Sequence, residues 1–169
     1  MTVITIAEQI NKLNRCIQEF VICINSLPSS LFLKKMDNWA VRDVLAHLIG
    51  WNQYSVEGCQ QIRKGELPFY FVDPGDDFSK VNTISVRKYN SKNRRRLVNE
   101  LEASTQELRQ FLLSLTPTEW EADYGVRYRG GMITIRNTID VLIRDYVLHR
   151  QQVEEWAKSV ENPDGQAVV

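Results

Sequence analysis

The chain has 169 residues, 43% hydrophobic and 25% charged, and its 21 Lys plus Arg balance its 21 Asp plus Glu. That length supports one domain with a hydrophobic core, expected over residues 1–160, and no apolar run approaches the roughly 20 residues that span a bilayer. A formal net charge of zero argues against a nucleic-acid partner and against attachment to anionic membranes by bulk charge.

The first fifteen residues carry no basic region ahead of an apolar stretch, so they do not read as a secretory signal. Cys16, Cys23 and Cys59 are odd in number and lack C-x-x-C spacing. They read as buried, reduced thiols of a cytoplasmic protein rather than as disulfides or metal ligands. The first helix is expected from about residue 6 to 27. Thr5 and Glu8 form a T-x-x-E capping box, and Ile6, Ile10, Leu13, Ile17, Phe20, Ile24 and Leu27 make one apolar stripe. Pro28 ends it.

A second helix is expected from about 40 to 64, with Val41, Val44, Leu45, Leu48 and Ile49 inward and Gly65 at its C-terminal turn. An irregular loop with Pro68, Pro74, Gly75 and two aspartates follows. Its Phe69-Tyr70-Phe71-Val72 run is expected to pack aromatics over the bundle. Residues 77–88 are expected to hold a short helix with Val81 and Ile84 facing in. A third long helix is expected from Ser91, a good N-cap, with Leu97, Leu101, Leu108, Phe111, Leu112 and Leu115 buried. Lys92, Arg94, Arg95 and Arg96 crowd its start, where positive charge is disfavoured. Without interleaved aromatics they read as a solvated or partner-facing surface rather than a nucleic-acid site. Thr116-Pro117-Thr118-Glu119 is a second capping box with proline at the first helical position. A loop over 124–131 leads to a fourth long helix from about 133 to 158, and residues 161–169 form a frayed tail. Four such helices make an all-α four-helix bundle, with short extra helical segments in the loops.

The chain has only two histidines. On the fourth helix Asp145 and His149 are four apart, on one face. At 100° per residue both sit beside the stripe of Leu142, Val153 and Trp156. On the second helix His47 lies just off the Val44–Leu48 line, on the side of Trp51 and Tyr54. If these two helices are neighbours, His47 meets Asp145 and His149. Two imidazoles and a carboxylate suffice to bind a divalent transition metal with positions left open. The alternative is a core histidine and a helix-surface pair. Trp51, Tyr54, Tyr146 and Arg150 are candidates to line the approach, each against a packing or solvated-face reading.

Residues 36–51, Met-Asp-Asn-Trp-Ala-Val-Arg-Asp-Val-Leu-Ala-His-Leu-Ile-Gly-Trp, closely resemble the second-helix signature of the DinB-like (YfiT-type) metal-binding bundles, including the DfsB-related branch. Residues 128–135 are similar to the approach to that family's last helix. The resemblance implies a bundle with up-down-down-up connections and a metal held by three residues. His47 matches the histidine of the L-A-H-L motif, and His149 the second of an H-x-x-x-H on the last helix. Asp145 stands where the first histidine is expected, which keeps a ligating group and adds negative charge. Ala40 stands where the family tends to have a capping Ser or Thr, so Asp37, Asn38 or Asp43 is expected to take that role. The resemblance further implies a zinc, nickel or iron ion, a low-molecular-weight thiol, a small-molecule substrate and a homodimer. The leading expectation is a metal-dependent, thiol-dependent S-transferase acting on electrophilic small molecules. The alternatives are a non-catalytic protective bundle that binds a toxic small molecule, and a hydrolase using metal-activated water.

Overall fold

The structure is a computed structural model that describes residues 4–72 and 78–163. Helix α1 spans Ile6–Ser26. The Thr5 hydroxyl accepts the Glu8 N–H at 3.2 Å, and the Glu8 carboxylate accepts the Thr5 N–H at 2.7 Å, so two orphan donors are satisfied reciprocally. The expected stripe is buried from Ile10 to Ile24, with Gln9 and Cys23 added at its edge.

Helix α2 spans Val41–Arg63. Ala40 has no side-chain acceptor, and the cap is carried by Asp43, whose Oδ2 accepts the Ala40 N–H at 2.9 Å. Gly65 closes the helix at φ 76°, a left-handed turn that suits glycine. Phe69–Val72 form a single 3-10 turn. Pro74, Gly75 and the two aspartates of the expected loop lie outside the described residues.

Helix α3 spans Ser79–Lys88 and buries Val81 and Ser85. The expectation that Ile84 faces inward is corrected, since it is exposed. Gly50 explains the rotation: a Cβ there would lie 2.0 Å from Ser85 Oγ. The missing side chain lets α3 press Ser85 onto α2, which turns Ile84 outward.

Helix α4 spans Arg94–Leu113 and is capped by Asn93, which accepts the Arg96 N–H at 3.0 Å. The expected N-cap at Ser91 is therefore corrected by two residues, to Asn93. Ser91 instead accepts the Asn93 N–H at 3.1 Å and orders the turn ahead of the cap. The second capping box forms as expected and opens α5, Pro117–Glu121. Within the expected loop, β1 (Arg127–Tyr128) pairs antiparallel with β2 (Gly131–Met132). Helix α6 spans Ile135–Glu161, so the helix runs past the expected end at Lys158. Residues 164–169 of the expected tail lie outside the described residues.

Side-chain pairs fix the helix directions. Gln9 bonds Asp140 and Glu19 bonds Arg150, so α1 and α6 run parallel. His47 packs on His149 while Asn52 bonds Tyr146, so α2 opposes α6. Asn52 bonds Ser104 and Arg63 bonds Glu119, so α4 follows α2. The Arg94 guanidinium bonds the Ile24 and Leu27 carbonyls, which puts the start of α4 at the end of α1. The bundle is thus up-down-down-up. Helix α2 packs on α3, α4 and α6, and α1 packs mainly on α6. No helix among the described residues is long and apolar enough to cross a membrane.

Candidate metal centre

Antiparallel packing of α2 on α6 brings the three sequence-predicted residues together. His47, Asp145 and His149 each offer one ligand atom, and these atoms lie within 4.8 Å of one another. Asp145 Oδ2 is 2.9 Å from His47 Nε2, and Oδ1 is 3.3 Å from His149 Nε2. The two imidazole rings meet edge to face at 4.9 Å. His47 is buried, while Asp145 and His149 are half-buried. Burial opposes ionisation of Asp145. The hydrogen bonds from His149 and His47, and their charges, outweigh it and hold the carboxyl far below the ordinary carboxylate range.

A residue that sequence reasoning missed completes the site. Asn82, on α3, places its Oδ1 2.8 Å from Trp51 Nε1 and 3.1 Å from His47 Nδ1. An indole N–H only donates, so the oxygen of the Asn82 amide must face this way. The same oxygen then accepts a hydrogen bond from His47 Nδ1–H. In the neutral ring this leaves Nε2 as a lone pair, aimed at the Asp145 carboxylate. Two acceptors 2.9 Å apart require a positive species between them, either a proton on Nε2 or a cation.

The residues fit a divalent transition ion. Two imidazole nitrogens and a carboxylate oxygen are its usual donors. Ligand atoms around a tetrahedral ion with ~2.1 Å bonds lie roughly 3.4 Å apart; the three candidate atoms here lie within 4.8 Å of one another. Ligating histidines also characteristically donate their other ring nitrogen to an outer partner, as His47 does to Asn82. On His149, Nδ1 is 2.9 Å from the Gln152 amide.

The centre opens into a cavity of about 560 Å3 between α2, α3 and α6. Trp39, Trp51, Tyr70, Phe71 and Phe78 supply aromatic walls. Trp39 lies 5.0 Å from the His47 ring and stacks on His149 at 6.4 Å. Ser55, Asn137 and Thr138 add polar groups. Thr138 sits two turns before Asp145 on α6, about 10 Å along the axis. Of the candidates for the approach, only Trp51 lines the cavity. Tyr54 packs edge-on against Trp51 and reaches α3 instead. Tyr146 is fully buried and donates to Asn52 at 2.9 Å. Arg150 points to α1, where it pairs with Glu19. The three cysteines are free, none lies at the centre, and Cys16 is only half-buried.

The family described as mycothiol maleylpyruvate isomerase N-terminal domain matches residues 35–154. No curated protein matches the chain. Among solved structures, the colibactin self-resistance protein ClbS in complex with a dsDNA is similar at 16% identity and TM-score 0.74, covering 94% of this chain and 98% of that one. An uncharacterised protein from Clostridium difficile 630 is similar at 16% identity and TM-score 0.75, covering 95% and 99%. One from Escherichia coli UTI89 is similar at 20% identity and TM-score 0.73, covering 95% and 96%. At such identities the likeness is one of fold.

The ClbS complex overturns the expectation that a bundle of this kind has no nucleic-acid partner. The physical reason is that net charge is a sum over the chain. A total of zero is compatible with strong local separation of positive from negative surface.

Proposed function

From the premise that the chain belongs to the mycothiol maleylpyruvate isomerase N-terminal domain family, we propose that it is a metal-dependent enzyme acting with a low-molecular-weight thiol on a flat, apolar electrophile. One observation carries this reading: with Nδ1 bonded to Asn82, whose oxygen Trp51 fixes, His47 turns Nε2 toward a carboxylate only 2.9 Å away. His47, Asp145 and His149 hold the ion. A divalent transition ion bound there supplies Lewis acidity toward a thiol or a substrate oxygen.

The chain's own residues do the rest. Trp39 and Trp51 shield the centre from water, which strengthens electrostatic interactions inside. The aromatic walls bind a planar apolar molecule. Asn137 and Thr138, two turns away, hydrogen-bond a polar substituent at its far end, so the bound length is set by the spacing along α6. The group transfer forms a sulfur–carbon bond as the electrophile's bond to its leaving group breaks, the electron pair departing with the leaving group and the thiol proton passing to solvent.

Elemental analysis of protein purified without chelator, followed by a thiol-conjugation panel, tests the proposal. It expects about one transition ion per chain, lost in His47→Ala, and thiol-dependent consumption of a flat electrophile. A protein that neither carries nor takes up such an ion overturns it.

A second reading is favoured by the same aromatic cavity: capture of a toxic small molecule without turnover, one way in which a bundle like the self-resistance protein ClbS could protect a cell. Saturable binding with the ligand recovered unmodified in the presence of thiol would establish it over the enzyme. A nucleic-acid partner, which the ClbS complex raises for this chain as well, concerns a different surface.

A further inference from the structure

Between Phe78 and Asn99 the chain carries seven cations, Lys80, Arg87, Lys88, Lys92, Arg94, Arg95 and Arg96, and no carboxylate. In a chain of zero net charge, every other residue together is therefore net negative. The fold concentrates this segment further, because the end of α3 and the start of α4 form one corner of the bundle.

Two of the cations are engaged elsewhere. Arg94 caps the end of α1 through the Ile24 and Leu27 carbonyls, and Lys80 lies at the opposite end of α3. The other five, Arg87, Lys88, Lys92, Arg95 and Arg96, are exposed. None of them takes part in an ion pair among the described residues. The first turn of α4 has no acidic residue, so Arg95 and Arg96 sit against the positive end of the helix dipole. That placement is electrostatically unfavourable. Asn93 and Asn99 add amides to the groove beside Arg95 and Arg96, which Glu100 also lines.

We infer that this corner is a binding surface for the phosphate backbone of double-stranded nucleic acid. Phosphates satisfy the unpaired cations and the helix dipole together. The duplex form follows from what is missing at the corner. Its aromatic residue, Tyr89, donates to Gln53 at 2.7 Å and lies under the Lys88 ammonium. It is not a free platform for stacking unpaired bases. The surface is independent of the metal centre, so either can fail alone.

Fluorescence anisotropy with a labelled 20-base-pair duplex, titrated between 50 and 200 mM KCl, tests the inference. Four to five phosphate contacts give a slope of log K against log salt of about −4, or an affinity loss of about 250-fold over that range. In Lys92→Ala/Arg95→Ala/Arg96→Ala the slope falls by about 3, because each cation contributes about 1. A Lys12→Ala/Arg15→Ala control on the exposed face of α1 keeps the wild-type slope. The triple variant retains the Asn93 cap, which bonds a backbone N–H, so its thermal midpoint is expected unchanged or slightly raised. Failure to bind duplex at 50 mM KCl overturns the inference. So does a triple variant that binds like wild type, or binding to phosphatidylserine vesicles but not to duplex.

Discussion

Two polar clusters sit one residue apart on α6, and they differ in kind. Around Tyr146 the circuit is closed. The phenol donates to Asn52 Oδ1 at 2.9 Å, and Asn52 Nδ2 donates to Ser104 Oγ and Thr105 Oγ1 at 3.0 and 3.2 Å. Both hydroxyls donate onward to the Leu101 carbonyl. Every donor meets an acceptor, and burial drives the Tyr146 phenol well above its ordinary range. Around Asp145 the circuit is open in the neutral state: with His47 Nδ1–H donating to Asn82 Oδ1, neutral Nε2 faces the carboxylate acceptor to acceptor, and only an added proton or cation closes it. A closed buried network holds helices in register. An open one at a cavity asks for a ligand. Register and ligand are linked here, since the Asn52–Tyr146 bond fixes α6 at the height where Asp145 and His149 face His47.

The largest effect separating the two clusters is expected in His47→Ala. Loss of an outer partner of a metal ligand costs 10–100-fold in affinity, and loss of the ligand itself is expected to exceed roughly 100-fold. Competition against a chromophoric chelator reads this directly. Asn52→Leu should do the reverse. It leaves the Tyr146 hydroxyl buried without an acceptor and lowers stability by about 2–4 kcal/mol, measured by urea unfolding of the metal-free protein. At temperatures where that variant remains folded, its metal stoichiometry should match wild type. If His47→Ala costs more stability than Asn52→Leu, the distinction between open and closed clusters is lost.

Much of this was legible in the sequence because it is local. The stripes of α1, α2 and α6 follow from helical period, and both capping boxes form at the expected residues. The i,i+4 pair Asp145–His149 and the motif around His47 named the three residues that α2 and α6 bring together before any packing was known. What stayed hidden depends on contacts between distant elements. Asn82 is one polar residue on a short helix, and nothing around it in the chain marks it. Its meaning arises because Gly50 lets Ser85 press α3 onto α2. Ile84 was misplaced for the same reason. Tyr146 and Arg150 carried apt chemistry for the approach, but their neighbours on α2 and α1 use them structurally. The charge at the start of α4 was visible and was discounted for want of interleaved aromatics and by a sum over the whole chain, which averages away the separation that matters.

Asn82 provides the next, smaller test. Asn82→Leu removes the acceptor from His47 Nδ1 and Trp51 Nε1, and metal affinity is expected to fall about 10–100-fold. Asn82→Asp keeps the acceptor and is expected to stay within about tenfold of wild type. Equal losses in the two variants would mean that Asn82 acts by packing rather than by orienting the ring.

The smallest expected effect concerns the helix that presents His47. Asp43 supplies one half of a capping box at the start of α2, and Ala40 cannot supply the other. Ala40→Ser adds a hydroxyl able to accept an N–H of the first turn, which is expected to raise stability by about 0.5–1 kcal/mol in urea unfolding. Ala40 is buried, so the added hydroxyl must make that bond to be stabilising at all. The cap lies seven residues from His47 and touches no group of the open cluster, so metal affinity should not move. A change in affinity beyond about twofold would mean that the position of His47 depends on how α2 begins. The register set by Asn52 and Tyr146 would then not be enough to place the ligands.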